Sequence, residues 1–214
     1  MMNILNLLVV AVVSYLAGSF PTAFIFGKLM KGIDVRLHGS GNMGATNAFR
    51  VLGKKAGTAV LVIDILKGFL AVVAVAGWFS PGVEGRMTAA VAVVCGHNWT
   101  CFLNFKGGKG VATSAGVLIG LTVALVTVRW PVGLCLLSWI VCFLATGYIS
   151  VSSIVAAVFL PILMIIYSAP FAVILLSIFF CIFVVLRHRP NITRLLNGQE
   201  SRVPFLFFKK NPRP

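Results

Sequence analysis

Residues 56–79 read AGTAVLVIDILKGFLAVVAVAGWF. Apart from Thr58, Asp64 and Lys67 the stretch is apolar or small. It is as long as the roughly 20 residues a helix needs to cross a bilayer. Asp64 and Lys67 stand three apart, which puts them on one helical face. Charges inside a span are costly, so they turn toward a bundle interior and pair. Two roles fit this pair: support for a nearby site, or an ion pair that fixes helix packing. Either way the stretch reads as a membrane helix, and its neighbours repeat the pattern.

Six further apolar runs flank it, at about 4–27, 87–103, 111–128, 132–148, 154–167 and 171–186. The first is interrupted by Gly18, Ser19 and Pro21, and the sixth in chain order contains Pro161. Hydrophobic residues make up 59% of the 214 and charged residues 10%, and mean hydropathy is +1.03. No soluble domain of this size needs so much apolar surface. These runs predict an all-α integral membrane protein, a seven-transmembrane-helix bundle forming one domain over residues 1–202. A basic tail follows at 203–214. Ser150, Val151, Ser152 and Ser153 are expected to form one tight turn, and Tyr167, Ser168, Ala169 and Pro170 another.

Charge orients the bundle. There are 18 Lys and Arg against 4 Asp and Glu, a net charge of +14. Fifteen of the 18 fall at 28–55, at 106–109 or from Arg187 onward, and only Arg86 and Arg129 fall in loops of the other side. Cytoplasmic loops collect such residues, so the N-terminus is expected outside and the C-terminus in the cytoplasm. Five spans, also an odd number, would give the same end orientation, and the turns within 132–186 carry no charge to choose between the two counts. The first run is not expected to be a cleaved signal peptide: no Lys or Arg precedes it, whereas Lys28 and Lys31 follow. No soluble basic module suits nucleic acid. Cys95, Cys101, Cys135, Cys142 and Cys181 lie in or beside apolar runs without zinc spacing. They are expected to pack as small residues, with no metal and no disulfide framework.

Three polar stretches then fall on one membrane face. GSGNMGATNAFR at 39–50 combines glycines with Ser40, Thr46, Asn42 and Asn47, and closes on Arg50. Such loops can turn backbone N–H groups together toward phosphate oxygens, and an arginine adds a bidentate grip. It matches neither G-x-G-x-x-G nor G-x-x-x-x-G-K-[ST]. The second, FKGGKGVAT at 105–113, places Gly107, Gly108, Lys109 and Gly110 at the start of a helix, where an anion is favoured; a plain structural turn fits it equally. The third, RHRPNITRLLNGQE at 187–200, sets His188 between Arg187 and Arg189. A basic cluster touching lipid headgroups explains its charge but leaves Asn191 and Glu200 unexplained. Glu200 is expected to orient Arg194 or another basic residue. No serine or cysteine has the partners of a covalent nucleophile, and H-x₄-D is absent.

SGNMGATNAFR at 40–50, GHNWTCFLNFKGGKGVAT at 96–113 and RHRPNITRLLNGQE at 187–200 resemble, in order, the three signature motifs of one family. It is the bacterial acyl-phosphate:glycerol-3-phosphate acyltransferase (PlsY) family. DILKG at 64–68 and SVSS at 150–153 also look like it, and the resemblance covers about residues 12–202. It implies an enzyme of the bacterial inner membrane, multi-pass, with its site at the cytoplasmic face. Such an enzyme moves a fatty acyl group from acyl phosphate directly to glycerol 3-phosphate, without cofactor, giving lysophosphatidic acid and phosphate. The enzyme that makes acyl phosphate would be a partner. By motif position Ser40, Arg50, Lys109, Ser153, His188 and Asn191 would contact substrates, and Lys109, Ser153, His188 and Asn191 would form the catalytic group. Asn42 and Asn47 would join the phosphate-binding set. Gly41, Gly44, Gly107, Gly108 and Gly110 would shape the cradles, and Asp64, Lys67 and Glu200 would support them. Three groups could take the proton from the attacking hydroxyl: His188, Asp64 from a distance, or a substrate phosphate. From another class, an organophosphate or anion permease would place its site near the midplane between inverted repeats; no repeat is visible here.

Overall fold

The computed structural model describes residues 3–203; the tail expected at 203–214 lies, from 204 onward, outside them. All regular structure among the described residues is helical. The elements are α1 (Ile4–Ser19), α2 (Thr22–Lys31), α3 (Ala45–Leu52), α4 (Lys54–Leu70), α5 (Ala76–Phe79), α6 (Val83–Asn98), α7 (Val111–Ala124), α8 (Arg129–Thr146), α9 (Ile149–Ile166), α10 (Phe171–Arg187) and α11 (Arg189–Leu196). A π-helical turn at Ala71–Val75 joins α4 to α5 in one continuous rod.

Each predicted apolar run corresponds to a helix or a broken helix. Ile4–Lys31, Lys54–Phe79, Val126–Thr146 and Ile149–Ile166 are long and apolar enough to cross a membrane. A fifth qualifies if α10 and α11, bent by 53°, count as one, and α7 is apolar but shorter. The protein is a multi-pass membrane protein. Its chain forms two compact units, one through Leu125 and one from Val126.

In the first unit α1 packs along α6, and α4 along α7. Both pairs touch backbone to backbone. A Cβ on Gly18 would fall on the Val93 main chain, and one on Gly96 on that of Tyr15. Gly68 meets Thr113, and Gly116 meets Ile65, in the same way. Small residues permit this approach, which gives membrane helices their packing contact without a hydrophobic driving force. A second core of Ala23, Val35, Ala45, Ala48, Leu52, Ala56 and Val60 binds α2 and α3 to the start of α4. Pro21 breaks the first span, and the carbonyls freed there need other donors. Thr100 Oγ1 donates to the Ser19 carbonyl at 2.5 Å, and Lys67 Nζ to the Phe20 carbonyl at 3.3 Å.

In the second unit α9 packs against both α8 and α10. Here one expectation changes. Ser150, Val151, Ser152 and Ser153 are not a turn; they follow Ile149 within the first turn and a half of α9. Gly147, at φ +72°, ends α8, and Tyr148 alone links it to α9. A left-handed glycine stops a helix so abruptly that no further loop residues are needed. The serines continue the helix by returning their hydroxyls to carbonyls four residues back, Ser152 to Tyr148 at 2.9 Å and Ser153 to Ile149 at 2.8 Å. The turn at 167–170 forms as expected, with Ser168 at φ +51°.

Candidate active site

The loop before α3 is held by one side chain. Asn47, on the first turn of α3, is 1% exposed. Its Nδ2 donates to the Val35 carbonyl at 3.0 Å and the His38 carbonyl at 3.1 Å. Its Oδ1 accepts the Ser40 N–H at 2.8 Å. Both amide protons are thus spent on the loop, which makes Asn47 a clamp that sets Ser40. The Gly41 N–H goes to the His38 carbonyl and the Gly44 N–H to Asn42 Oδ1. The amides of Ser40, Gly41 and Gly44 therefore shape the loop internally, where the sequence suggested an open nest of donors. Ser40 and Arg50 remain on its exposed side. Lys31 Nζ donates to the Val51 carbonyl at 2.7 Å, which fixes the C-terminal end of α3 beside Arg50. Asp34 and Arg36 form a bidentate pair at 2.7–3.1 Å. The Arg36 hydrogen bond holds the Asp34 carboxyl below its usual range.

The second glycine loop is closed in the same manner. Gly107 N–H donates to the Asn98 carbonyl at 3.1 Å, and Gly108 N–H to the His97 carbonyl at 3.0 Å. Neither residue has positive φ; a Cβ on Gly107 would strike the His97 carbonyl, and one on Gly108 the His97 imidazole. Gly110 is left-handed at φ +76° and precedes the first residue of α7. Lys109 sits between them, half-buried. Beneath lies the Asp64–Lys67 pair, at 2.9 Å. Thr22 Oγ1 donates to Asp64 Oδ1 at 3.1 Å, and His97 Nδ1 lies 3.7 Å from the same oxygen.

In the second unit Glu200 gathers the third stretch. Its Oε1 accepts from Ser150 Oγ at 2.8 Å and Asn191 Nδ2 at 2.6 Å, and its Oε2 from Arg194 Nε at 2.8 Å. Burial pushes its carboxyl up, but the Asn191, Ser150 and Arg194 hydrogen bonds together outweigh that and hold it below its ordinary value. His188 is 3% exposed, and its ring nitrogen Nδ1 lies 2.7 Å from the Val184 carbonyl. Only an N–H can make that contact, so a neutral ring carries its lone pair on Nε2. Ser153 is also buried and accepts from Trp139 Nε1 at 3.2 Å.

Comparison with known proteins gives this arrangement a family. Residues 8–198 match the model of the family described as glycerol-3-phosphate acyltransferase. The chain belongs to the glycerol-3-phosphate acyltransferase family. It is 42% identical over 205 residues to the glycerol-3-phosphate acyltransferase of Desulforudis audaxviator, covering 95% of this chain and 99% of that one. The Thermoanaerobacter enzyme of the same name is 40% identical over 193 residues, covering 90% and 93%. Among solved structures it is similar to PlsY, an integral membrane glycerol 3-phosphate acyltransferase crystallised in a glycerol 3-phosphate form. There the TM-score is 0.84 and the identity 36%, over 92% of this chain and 96% of that one. A lysophosphatidic acid form of PlsY matches at TM-score 0.80 and 35% identity.

Within this acyltransferase, the first unit brings Ser40, Asn47 and Arg50 to one short helix and its loop, and Asp64, Lys67 and His97 to one buried cluster. The second unit brings Asn191, Arg194 and Ser150 to Glu200. Sequence reasoning missed Thr22 and Thr100 as polar partners. The signal was Pro21: a broken span inside an apolar environment demands donors for its carbonyls.

Proposed function

We propose that this protein transfers a fatty acyl group from acyl phosphate to glycerol 3-phosphate. A hydroxyl oxygen of the acceptor bonds to the acyl carbon, the bond from that carbon to the phosphate oxygen breaks, and phosphate leaves. The acceptor's proton passes to a base, and the second product is lysophosphatidic acid. The observation that carries this is the likeness, along nearly the whole chain, to PlsY in its glycerol 3-phosphate and lysophosphatidic acid forms.

Acyl phosphate is already activated, so no covalent acyl-enzyme is required. What must be overcome is repulsion: near neutral pH the two phosphorylated substrates together carry about −4. Arg50, Lys109 and the Arg187/Arg189 cluster are the cations that offset it. Bringing the reactants together can lower a barrier by roughly 7–11 kcal/mol in the best cases. Ser40 joins Arg50 at one phosphate, and Lys109 acts beside the turn of Gly107, Gly108 and Gly110. Ser153, His188 and Asn191 serve the reacting atoms, Asn191 being oriented by Glu200. Donors among these stabilise the oxyanion that develops on the acyl carbonyl.

Seven spans, with the N-terminus outside and the C-terminus in the cytoplasm, give the site its place at the cytoplasmic face of the bacterial inner membrane. The charge bias and the helix found at each of the seven apolar runs support that count. The acyl chain then stays in the lipid while the soluble acceptor arrives from the cytoplasm, and an enzyme making acyl phosphate would deliver on the same side. The test is purified protein with acyl phosphate and radiolabelled glycerol 3-phosphate, which should yield labelled lysophosphatidic acid. Label accumulating inside sealed vesicles without acylation would establish a permease instead.

A further inference from the structure

The buried polar residues of the first unit converge on one imidazole. His97, at the end of α6, is 7% exposed. On one edge of the ring Nδ1 faces Asp64 Oδ1, which is itself held by Lys67 Nζ at 2.9 Å and Thr22 Oγ1 at 3.1 Å. On the other edge Nε2 fills the space that a Cβ on Gly108 would need. The His97 carbonyl meanwhile accepts the Gly108 N–H at 3.0 Å. A rigid ring therefore spans the gap between a buried ion pair and the turn that carries Lys109. An apolar ring of this size would fill the space, but it would leave the Asp64 carboxylate facing carbon, at a high desolvation cost.

We propose that His97, oriented by Asp64, is a positioning residue that sets the Gly107–Gly110 turn and through it the Lys109 ammonium. The inference rests on the reading of that turn as an anion-binding part of the acyltransferase site. Its logic is mechanical. The amides of Gly107 and Gly108 are tied to the carbonyls of Asn98 and His97, so the turn can move only as α6's last turn moves. The imidazole of that last turn faces Asp64 Oδ1 across 3.7 Å, an electrostatic contact longer than a hydrogen bond, and Thr100 and Tyr15 anchor the main chain just beyond: Thr100 bonds Ser19, and Tyr15 Oη donates to the Trp99 carbonyl at 2.7 Å. Lys109, one residue past Gly108, takes its direction from this floor. Misplacing a group by about 1 Å can cost up to about 10²-fold in rate.

The experiment measures kcat and KM for both substrates, and the thermal midpoint with and without inorganic phosphate, in the full-length protein and its variants. His97→Gln should raise KM for one phosphorylated substrate by about 10-fold or more, and should lose the phosphate-induced rise in midpoint as Lys109→Ala does. The double variant His97→Gln/Lys109→Ala should match Lys109→Ala alone within about a factor of two, because one acts through the other. Losses that multiply would overturn the proposal. So would a His97→Gln protein that melts earlier yet keeps parental KM and phosphate response. If His97→Gln does not fold, the isosteric Asp64→Asn in the same cycle decides by the same criteria. A parent protein that responds to phosphate but makes no lysophosphatidic acid would instead defeat the functional reading, while the phosphate arm still tests the positioning of Lys109.

Discussion

Removing the Asn47 side chain should loosen one loop without unfolding the protein. Asn47→Ala deletes two donated hydrogen bonds, to the Val35 and His38 carbonyls, and one accepted from Ser40. At about 1 kcal/mol each the loss is roughly 3 kcal/mol. The neighbouring core of Ala48, Leu52, Ala56 and Val60 is untouched, so the cost should be local. An opening made easier by about 3 kcal/mol speeds amide exchange roughly 10²-fold. Hydrogen exchange of the peptide containing Ser40, in bilayers without substrate, should show that increase, accompanied by a raised KM. Asn47→Asp should be at least as damaging, since its second oxygen would face two carbonyls in place of the donor. If exchange at Ser40 is unchanged in the substrate-free variant while activity collapses, Asn47 is a substrate ligand and the clamp argument is wrong.

Glu200 should make stability depend on acid. Its folded carboxyl lies below its ordinary value, so its contribution is present above the unfolded pKa and fades as pH falls through the folded one. Melting curves of Glu200→Gln should lack that acid-side decline, and at neutral pH should reflect a loss of about 2 kcal/mol from the broken Arg194 bond. Gly107→Ala should be worse than Gly108→Ala, because the new methyl meets backbone at 107 and a side-chain ring at 108; equal KM values and yields for the two would refute the packing account. Arg50→Lys keeps the charge but loses the planar fork, so KM should rise. His188→Gln should retain substantial turnover and the acidic limb of its kcat profile, the limb then belonging to a substrate phosphate; a fall in kcat of about 10²–10⁴ with normal binding would make His188 the base.

The four long apolar spans were legible because bilayer thickness imposes a length and composition that no loop mimics. The 150–153 boundary was not: serines punctuate turns in water, but here they can satisfy their hydroxyls on helix carbonyls, and the real stop was Gly147. The polar motifs showed where chemistry gathers but not how each residue is used. Asn47 looks like a phosphate ligand beside Arg50, and only its three partners reveal a clamp. Gly107 and Gly108 look like phosphate-cradling amides, yet both amides face their own chain. Spacing alone does not tell a glycine that presents its N–H from one that makes room for a neighbour.

The broken first span gives the buried charges their reason. A proline at position 21 leaves carbonyls at Ser19 and Phe20 without the partners of a continuous helix. In a bilayer that deficit must be met from within the protein. Thr100 meets it at Ser19, the Thr22 N–H and Lys67 meet it at Phe20, and Lys67, once buried, requires Asp64. Asp64 in turn offers a carboxylate to Thr22 on one side and His97 on the other. One break thus commits three further segments: α4 through the ion pair, the end of α6 through His97, and the chain beyond it through Thr100. The end of α6 holds Gly107 and Gly108 through the Asn98 and His97 carbonyls, and the Thr100 carbonyl holds the Phe105 N–H. Moving Pro21 to Ala would let α1 and α2 run on as one helix and satisfy their own carbonyls, leaving Lys67 with Asp64 but without the Phe20 carbonyl. The polar motif at 105–113 therefore depends on an irregularity almost ninety residues before it in the chain.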